Sequence, residues 1–448
     1  MSRRIALRIL VRVEKEGLFA APLLDRYLER SDLSPLDKGL TTELVYGVLR
    51  WQGRLDGILS PCLRYPLHKM DSALRCILRL GAYQILFLDR IPAFAAVDEA
   101  VKMAVSHMGS RQGGFVNAIL RQIARVPPRM APPDSSSGPS EWALYFSHPE
   151  DLIGAWVRQW GTEEAAAFLE ADNQIPCLGL QVNTLKGDNP GFQRALMEEA
   201  GTIIAEEGKL VPHFFRVHGL RDIRHTRAHL DGLFQVMDEA SALIPYLLRP
   251  RPGDEILDAC AGKGGKAAVL AQLMEDQGRI TALDWNHGAL ETLKENSLRL
   301  GIHIIQPLPG DARNPQAVGA RRFDKILLDA PCSGLGTLRR HPEIKWRKPL
   351  SSISSLQPLQ RSLLEGVAAC LRPGGVLLYS TCSPQPEENE EVVEGFLRSH
   401  SSFRAEDVSA YLPRPVAGAI TSQGYLRTFP HRHGVDAFFA ARLRRCEN

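Results

Sequence analysis

Cysteine is scarce in this chain, and none of it occurs in a C-x-x-C pair. Eight cysteines in 448 residues are too few for a disulfide scaffold. Without paired cysteines a structural zinc site has no support, and we predict no bound metal. The eight stand at positions 62, 76, 177, 260, 332, 370, 382 and 446. We expect a reducing, cytoplasmic setting, in which a cysteine in an unusual loop becomes a candidate for chemistry.

Long apolar runs and a strong net charge are also missing. No stretch of about 18 uncharged apolar residues occurs, so the sequence predicts no membrane span. The first ten residues, MSRRIALRIL, lack the long apolar core of a secretory signal, and their apolar spacing continues into a helix. The net charge of +3 excludes a strongly basic nucleic-acid coat but is compatible with a local basic groove.

The spacing of apolar residues divides the chain into four segments. Residues 1–126 repeat apolar side chains at steps of three and four, which predicts a helical bundle. Residues 127–140 are rich in proline, serine and glycine, as linkers are. Residues 141–240 mix helical and strand-like stretches, which predicts a small α+β module. Residues 241–448 alternate short apolar runs with helices, which predicts a mostly parallel, Rossmann-like α/β sheet.

Two stretches carry more local predictions. Residues 37–59, DKGLTTELVYGVLRWQGRLDGIL, keep the helical period throughout, which predicts one long helix. Near the end of the chain, GYLRTF and AFFAARLRR have the character of strands. We expect them to form a strand pair added at the edge of the sheet.

A glycine turn follows the first strand of the fourth segment. After EILDA comes CAGKGGKA, in which Gly262, Gly264 and Ala267 fit the G-x-G-x-x-G/A pattern of a dinucleotide-binding turn. In a doubly wound sheet, ligands bind beyond the carboxyl ends of the strands. A nicotinamide cofactor and S-adenosylmethionine both fit such a turn, so the pattern alone leaves the cofactor open.

Acidic residues close the next strands. Asp284 ends RITALD, where a carboxylate can accept hydrogen bonds from ribose hydroxyls. A cap for the helix after Asn286 is the alternative role for Asp284. Asp311 follows the next strand region, at a position that often faces an adenine edge.

Two further strands end in loops that carry a cysteine. KILLDA contains Asp329, and Cys332 follows in the loop DAPCSG, while GVLLYS precedes Cys382 in the loop STCS. Because the carboxyl ends of parallel strands meet at one edge of a sheet, both loops should open over the same crevice. A hydride-transfer enzyme, the nicotinamide alternative, has no need for such a pair.

These loops and four neighbouring motifs resemble the RNA cytosine-C5 methyltransferase family. The motifs are GLFQVMDEAS at 232–241, RRHPEIKW at 339–346, PEENE at 386–390 and DAFF at 436–439. The helical front resembles the fold of the antitermination factor NusB, best at GFVNAILR, 114–121. A NusB-like domain fused to such a methyltransferase resembles bacterial enzymes that methylate a cytosine of small-subunit (16S) ribosomal RNA. Together, the matches span nearly the whole chain.

The resemblance implies S-adenosylmethionine as the cofactor and ribosomal RNA, free or in an assembling small subunit, as the substrate. It implies Cys382 as the nucleophile that adds to C6 of cytosine and Cys332 as the residue that assists release. It implies Asp329 as a group that bonds the N3/N4 edge of the base, and RNA-binding roles for residues 1–126 and 141–240. The implied cofactor contacts are Cys260, Ala261, Gly262, Lys263, Gly264, Gly265, Lys266, Asp284, Asp311 and Asp329.

The glycine turn departs from the family pattern. Members usually carry Cys-Ala-Ala-Pro-Gly-Gly-Lys, whereas this chain has Gly262 and Lys263 at the third and fourth positions. A proline fixes φ and so reduces the conformational freedom of the free loop, an effect worth about 0.4–1 kcal/mol of free energy. Because this chain has Lys263 at that position, we expect its cofactor affinity to differ from the family norm. The altered turn also supports an alternative, a non-catalytic RNA-binding ribosome-assembly factor. For either function we expect a monomer.

Basic side chains with an aromatic follow the Cys332 loop. This composition suits a phosphate track with a stacked base, and a solvated loop is the alternative. We therefore expect RNA contacts from Arg339, Arg340, Lys345, Trp346, Arg347 and Lys348.

Overall fold

The chain folds into two compact units. The computed structural model describes residues 1–447 apart from 127–130, 135–136, 201–203, 219–222 and 348–349. The first unit comprises Met1–Ile175 and Leu338–Leu350, and the second comprises Pro176–Thr337 and Ser351–Asn448. These units divide the chain differently from the four segments, whose boundaries stay a prediction.

The first unit is helical. Its α-helices are α1 (Ser2–Glu16), α2 (Ala20–Glu29), α3 (Pro35–Arg50), α4 (Gln52–Leu59), α5 (Ser72–Phe87), α6 (Ala93–Met108), α7 (Ser110–Arg125), α8 (Pro139–Phe146), α9 (Glu150–Trp160) and α10 (Thr162–Asp172). Fully buried side chains such as Leu7, Leu44 and Ile77 share one apolar core. The predicted helical front is therefore confirmed. A short 3₁₀ helix, Pro342–Trp346, belongs to this unit as well.

The prediction of one helix over residues 37–59 is wrong. Two helices, α3 and α4, meet at Trp51, whose φ of −100° and ψ of 16° leave the helical region. The Trp51 ring stacks on Phe87 with centroids 5.3 Å apart, so a tertiary contact accompanies the break. Ser34 caps the start of α3 by accepting from the Asp37 N–H, with Pro35 in the first turn, as a helix start requires.

The second unit begins with a small antiparallel sheet of order β2-β3-β1-β4. Its elements are β1 (Leu178–Val182), α11 (Asn189–Ala200), β2 (Ile204–Glu207), β3 (Phe214–His218), α12 (Arg227–Leu230) and β4 (Phe234–Val236). Side chains such as Leu180, Phe215 and Phe234 form its core together with Phe192 of α11. This is the predicted α+β module, with β2 and β4 as strands that the apolar spacing did not reveal.

A larger sheet of order β10-β12-β9-β8-β5-β6-β7 follows, with β11 paired to β12. Its strands are β5 (Glu255–Ala259), β6 (Arg279–Asp284), β7 (Ile305–Pro309), β8 (Phe323–Asp329), β9 (Leu371–Thr381), β10 (Phe403–Glu406), β11 (Leu426–Arg427) and β12 (Phe439–Arg445). The helices of this part are α13 (Glu239–Leu248), α14 (Gly265–Leu273), α15 (His287–Leu300), α16 (Leu356–Ala368), α17 (Glu390–Ser399) and α18 (Pro430–His433). Strands β5 to β9 pair in parallel, which confirms the Rossmann-like prediction.

The strand pair predicted at the sheet edge lies elsewhere. Strand β12 runs antiparallel between β9 and β10, and β11 pairs with β12 beside them. Residues 439–443 are buried on both faces, as an interior strand with a continuous apolar run requires. The edge strand on this side of the sheet is β10, whose short polar sequence FRAE gave no clear strand signal.

The strand order reverses direction between β5 and β8. From β5 the chain proceeds to β6 and β7 on one side, and β8 and β9 lie on the other. The carboxyl ends of β5 and β8 therefore border a topological switch point, where doubly wound sheets bind their ligands. In the described part of the chain, no helix has the length and apolar character to cross a membrane.

Candidate active site

The glycine turn between β5 and α14 uses backbone conformations that favour glycine. Gly262 and Gly264 have φ values of 55° and 82°, and Cys260 adopts 63° at the end of the strand. A Cβ at Gly264 would lie 2.6 Å from Cγ of Leu293, so close packing also requires glycine there. A Cβ at Gly262 or Gly265 would meet no atom within 4 Å. The backbone over these two residues is thus open to the close approach of a ligand at the start of α14.

Asp284 ties the end of β6 to this turn. Its Oδ2 accepts from the Gly262 N–H at 2.8 Å, and its Oδ1 accepts from the Asn286 N–H at 2.8 Å. The cap of α15 is Asn286, whose side chain accepts from the Ala289 N–H. The alternative role of Asp284 as the helix cap is therefore wrong, whereas its contact with a ribose stays a prediction.

Three other predicted cofactor contacts have ordinary surroundings. Asp311 lies just after β7 and pairs with Arg313 at 2.5 Å, and the hydrogen bond from this guanidinium lowers the pKa of the carboxyl group. The side chain of Lys263, at the position where the family usually carries proline, is exposed. Burial raises the pKa of the Cys260 thiol, which keeps that thiol protonated and suits a residue that only lines the turn.

Asp258, near the end of β5, has a buried carboxyl group without a partner. The residue is 1% exposed, and neither carboxyl oxygen makes a hydrogen bond. Burial, followed by the negative charge of Asp329, raises the Asp258 pKa to about 8. A buried polar group without a partner is costly, so a cationic ligand group beside it would be stabilising. S-adenosylmethionine carries an ammonium and a sulfonium group, and these residues fit it.

Lys266 and Asp329 connect the turn to the adjacent strand. Lys266 Nζ donates to Asp329 Oδ2 at 2.6 Å, and Ser380 Oγ of β9 donates to Asp329 Oδ1 at 2.8 Å. Burial opposes a charge on Lys266, but Asp329, and after it Cys382, raise the pKa of its ammonium group. Lys266 also lies 5.3 Å from the centre of the Phe438 ring. Three strand ends thus converge on one ion pair.

The two loop cysteines lie side by side. The Sγ atoms of Cys332 and Cys382 are 3.4 Å apart, and both residues are half-buried. The hydrogen bond to Cys382, followed by burial, raises the pKa of the Cys332 thiol well above its ordinary value. The Gly336 N–H donates to the Cys382 carbonyl at 2.9 Å, which fixes one loop against the other. The pair can offer one thiolate nucleophile beside one proton-holding thiol.

The motif PEENE contains two polar residues whose positions sequence reasoning left without a role. Asn389 is fully buried, accepts from Thr381 Oγ1 at 2.5 Å and donates to the Ser383 carbonyl at 2.8 Å. Glu388 is fully buried as well. The polar sequence of this motif gave no sign that the two residues are buried, so their specific partners are visible only in the structure.

The expectation of RNA contacts from the basic segment is wrong for its buried members. Arg339 and Lys345, which belong to the first unit, are 6% and 2% exposed. Lys345 Nζ donates to Asn173 Oδ1 at 2.8 Å and to the carbonyls of Ser147 and Arg50.

Trp346, the aromatic residue of this basic segment, also contacts other residues of the first unit. Trp346 Nε1 donates to the Leu49 carbonyl at 3.3 Å, and the Arg347 guanidinium lies 3.9 Å from the Phe19 ring centre. Lys348 lies outside the described residues. A mixture of charge and aromatics fits a buried anchor as well as a phosphate track, and composition alone does not separate the two.

A mostly parallel sheet with an open glycine turn at its switch point, beside an ion pair and two thiols, is the arrangement of a Rossmann-like methyltransferase. Residues 245–444 match the model of the 16S rRNA methyltransferase RsmB/F family. Residues 1–125 match the NusB family, and residues 148–224 match the ferredoxin-like domain of RsmF/B-like methyltransferases.

Relatives similar to this chain extend over its whole length. It is 34% identical to a probable ribosomal RNA small subunit methyltransferase B of Synechocystis, over 99% of both chains. It is also 34% identical to a probable enzyme of that name from Bacillus subtilis, over 99% of this chain and 98% of the relative. A solved structure, that of PH0851, superposes with a TM-score of 0.84 and 28% identity, covering 100% of this chain and 99% of the other.

The chain therefore belongs to the RsmB/F family of methyltransferases. It is an S-adenosylmethionine-dependent enzyme, and the prediction of this cofactor over a nicotinamide is confirmed.

Proposed function

We propose that the protein transfers a methyl group from S-adenosylmethionine to C5 of a cytosine in small-subunit ribosomal RNA, in the cytoplasm. The observation that carries this proposal is the pair of thiols 3.4 Å apart at the ends of adjacent strands, next to the Lys266–Asp329 ion pair. Family membership and the full-length relatives named as small-subunit ribosomal RNA methyltransferases support the substrate class.

Methylation at C5 of cytosine needs a nucleophile from the protein. C5 reacts poorly with an electrophilic methyl group while the ring keeps its conjugation. When the Cys382 thiolate adds to C6, a C6–S bond forms, the conjugation is broken and C5 becomes enamine-like. S-adenosylmethionine, when bound, would supply the methyl group to C5, with its neutral thioether as the leaving group. The C5 proton leaves next, the C6–S bond breaks, and its electron pair returns to Cys382 as a thiolate.

The remaining side chains orient the base and complete the proton transfer. Lys266 and Ser380 both donate hydrogen bonds to Asp329. In the proposed reaction Asp329 bonds the N3/N4 edge of cytosine, and protonation at N3 favours attack at C6. Cys332, in contact with the Cys382 sulfur, assists release, either as the base that takes the C5 proton or beside that base. Lys266 interacts with Cys382 and supplies the positive charge that a cysteine nucleophile requires nearby.

The test is methyl transfer to unmodified small-subunit ribosomal RNA from methyl-labelled S-adenosylmethionine, followed by digestion to nucleosides. The proposal predicts label in 5-methylcytidine. Label in another nucleoside, or none with either free RNA or assembling particles from protein shown to bind the cofactor, would contradict it.

The two cysteines should fail in different ways. Cys382→Ala should abolish methyl transfer, because no thiolate remains to add to C6. Cys332→Ala should retain addition and methylation but slow release, so a protein–RNA adduct should survive denaturation and shift the band on a denaturing gel. Cys446→Ala, which changes a half-buried cysteine outside the site, is the matched control and should leave both measurements unchanged. Full turnover by Cys382→Ala would contradict the assigned roles.

A further inference from the structure

Glu388 joins the loops of the two cysteines through one buried carboxylate. The Ser333 N–H donates to its Oε1 at 2.7 Å, and Ser333 Oγ donates to its Oε2 at 2.6 Å. From the other loop, Ser383 Oγ donates to Oε2 at 2.5 Å. Ser333 directly follows Cys332, and Ser383 directly follows Cys382. The same carboxylate therefore holds the residue after each thiol.

A third element completes the arrangement. Gln360 of α16 donates from Nε2 to Glu388 Oε1 at 3.1 Å and to the Pro331 carbonyl at 3.0 Å. Glu388 has no exposed surface, and both of its oxygens accept hydrogen bonds. A buried carboxylate is stable in its charged form only with several such donors, and a fully bonded buried group fixes its neighbours in one geometry.

The charges around the two thiols differ. The Lys266 ammonium group interacts with Cys382. The hydrogen bond with Cys382 and burial are the main causes that raise the pKa of Cys332. The negative charge of the Glu388 carboxylate raises that pKa further. Cys382 thus has a positive neighbour, whereas Cys332 has a negative one that opposes loss of its proton.

We propose that Glu388 is a positioning residue for the reaction: it holds the Cys332 and Cys382 loops in fixed register and keeps the proton on Cys332, so that Cys382 is the thiol that ionises. The inference rests on the proposed function for its catalytic meaning. The register of the two loops and the order in which the two thiols ionise are properties of the free protein, and they can be measured without RNA or cofactor.

Alkylation of the free protein tests the order of ionisation. Each thiol is labelled with iodoacetamide across pH 6 to 10, and mass spectrometry resolves the two sites. Wild-type protein should label Cys382 first. Glu388→Gln removes the charge with little change of shape, so the pH profile of Cys332 should shift downward and its share of the label should rise by about threefold. An unchanged profile and ratio in folded Glu388→Gln would overturn the proposal.

Cross-linking tests the register. Mild hydrogen peroxide joins the two thiols into a disulfide and is itself reduced to water. Glu388→Asp keeps the charge but shortens the side chain, so it should slow cross-linking while its labelling ratio stays near that of wild type. Ser333→Ala and Ser383→Ala each remove a hydrogen bond to Glu388 and should also slow cross-linking. These two variants replace the Glu388 variants in the test if the latter fail to fold. Unchanged cross-linking in all of the folded variants would overturn the positioning role.

Glu391→Gln is the matched control, because it removes a charge three residues away at an exposed position. It should change neither measurement. Since both measurements omit RNA and cofactor, a failure of the proposed methyl transfer would leave their outcome intact, and the two failures can be distinguished.

Discussion

Three buried or half-buried carboxylates near the thiols have three different environments. Asp329 is paired with Lys266, Glu388 accepts hydrogen bonds from both cysteine loops, and Asp258 has no partner at all. A buried carboxyl group without a hydrogen-bond partner retains its proton to higher pH, as the raised pKa of Asp258 shows. Asp258 is therefore the group of the three that should respond to the arrival of a positively charged cofactor.

Cofactor binding should release a proton from Asp258. Its pKa of about 8 means that the carboxyl group is mostly protonated at pH 6 and ionised above pH 8. A cationic cofactor favours the ionised form, so affinity should rise between pH 6 and pH 8. Asp258→Asn should match wild type near pH 6 and bind on the order of tenfold more weakly at pH 8.5. Calorimetry in two buffers of different ionisation enthalpy counts the protons, and an identical pH profile for both proteins would refute this role.

At the scale of elements, the turn after the Cys332 loop is fixed by backbone contacts that leave no space for a side chain. Gly336 donates to the Cys382 carbonyl, and its own carbonyl accepts from the Ala437 N–H at 2.9 Å, just before β12. A Cβ at Gly336 would lie 2.0 Å from the Ala437 carbonyl oxygen and 2.8 Å from that of Cys382. Backbone atoms cannot yield as a flexible side chain can, so β12 and both cysteine loops depend on this glycine.

Gly336→Ala should separate the cysteine loops and destabilise the fold. Overpacking against backbone typically costs about 1–3 kcal/mol, which denaturant unfolding of the second unit can measure. Methyl transfer to RNA should fall as well, because the thiols lose their register. Gly288→Ala is the control, since its Cβ would lie no closer than 3.4 Å to Asn286 Oδ1 in the first turn of α15. Equal stability of Gly336→Ala and Gly288→Ala would contradict the argument.

The local sequence pattern predicted the elements that have a strong periodicity or clear turn residues. It failed where a contact with a distant part of the chain determines the bounds of an element. The strand RITALD has the predicted bounds, 279–284, because an apolar run between polar turns has few alternatives. Trp51 breaks a helix that the period alone would continue. Asp258 and Glu388 were missed as site residues because their significance depends on what faces them across other strands and loops, which a single sequence does not display.

At the scale of the whole molecule, the chain leaves one unit and returns to it. Thr337 ends a stretch of the second unit, and the next residues, Leu338–Leu350, belong to the first. Within the first unit, Lys345 is the buried anchor of this segment, with acceptors on Asn173, Ser147 and Arg50. Burial lowers its pKa to about 7, although Asp172 opposes the shift. A lysine so placed links the stability of the first unit to pH.

The sign of this linkage follows from the two pKa values. Between pH 7 and 10.5 the unfolded lysine binds a proton that the folded one does not, so stability rises with pH; below pH 7 both are protonated and the slope from this group vanishes. The slope is at most about 1.4 kcal/mol per pH unit for one proton. Lys345→Met should remove it, whereas Lys69→Met, at an exposed position in the same unit, should not.

Urea unfolding at pH 7, 8 and 9 measures this slope, and tryptophan fluorescence reports the right unit. Five of the six tryptophans lie in the first unit, and the sixth is the exposed Trp285. Trp285→Phe therefore gives a background in which fluorescence follows the first unit alone. A slope in Lys345→Met equal to that of the background protein would mean that Lys345 keeps its charge when buried. The three acceptors around its Nζ would then hold an ammonium group, and the pH dependence would have to come from another residue.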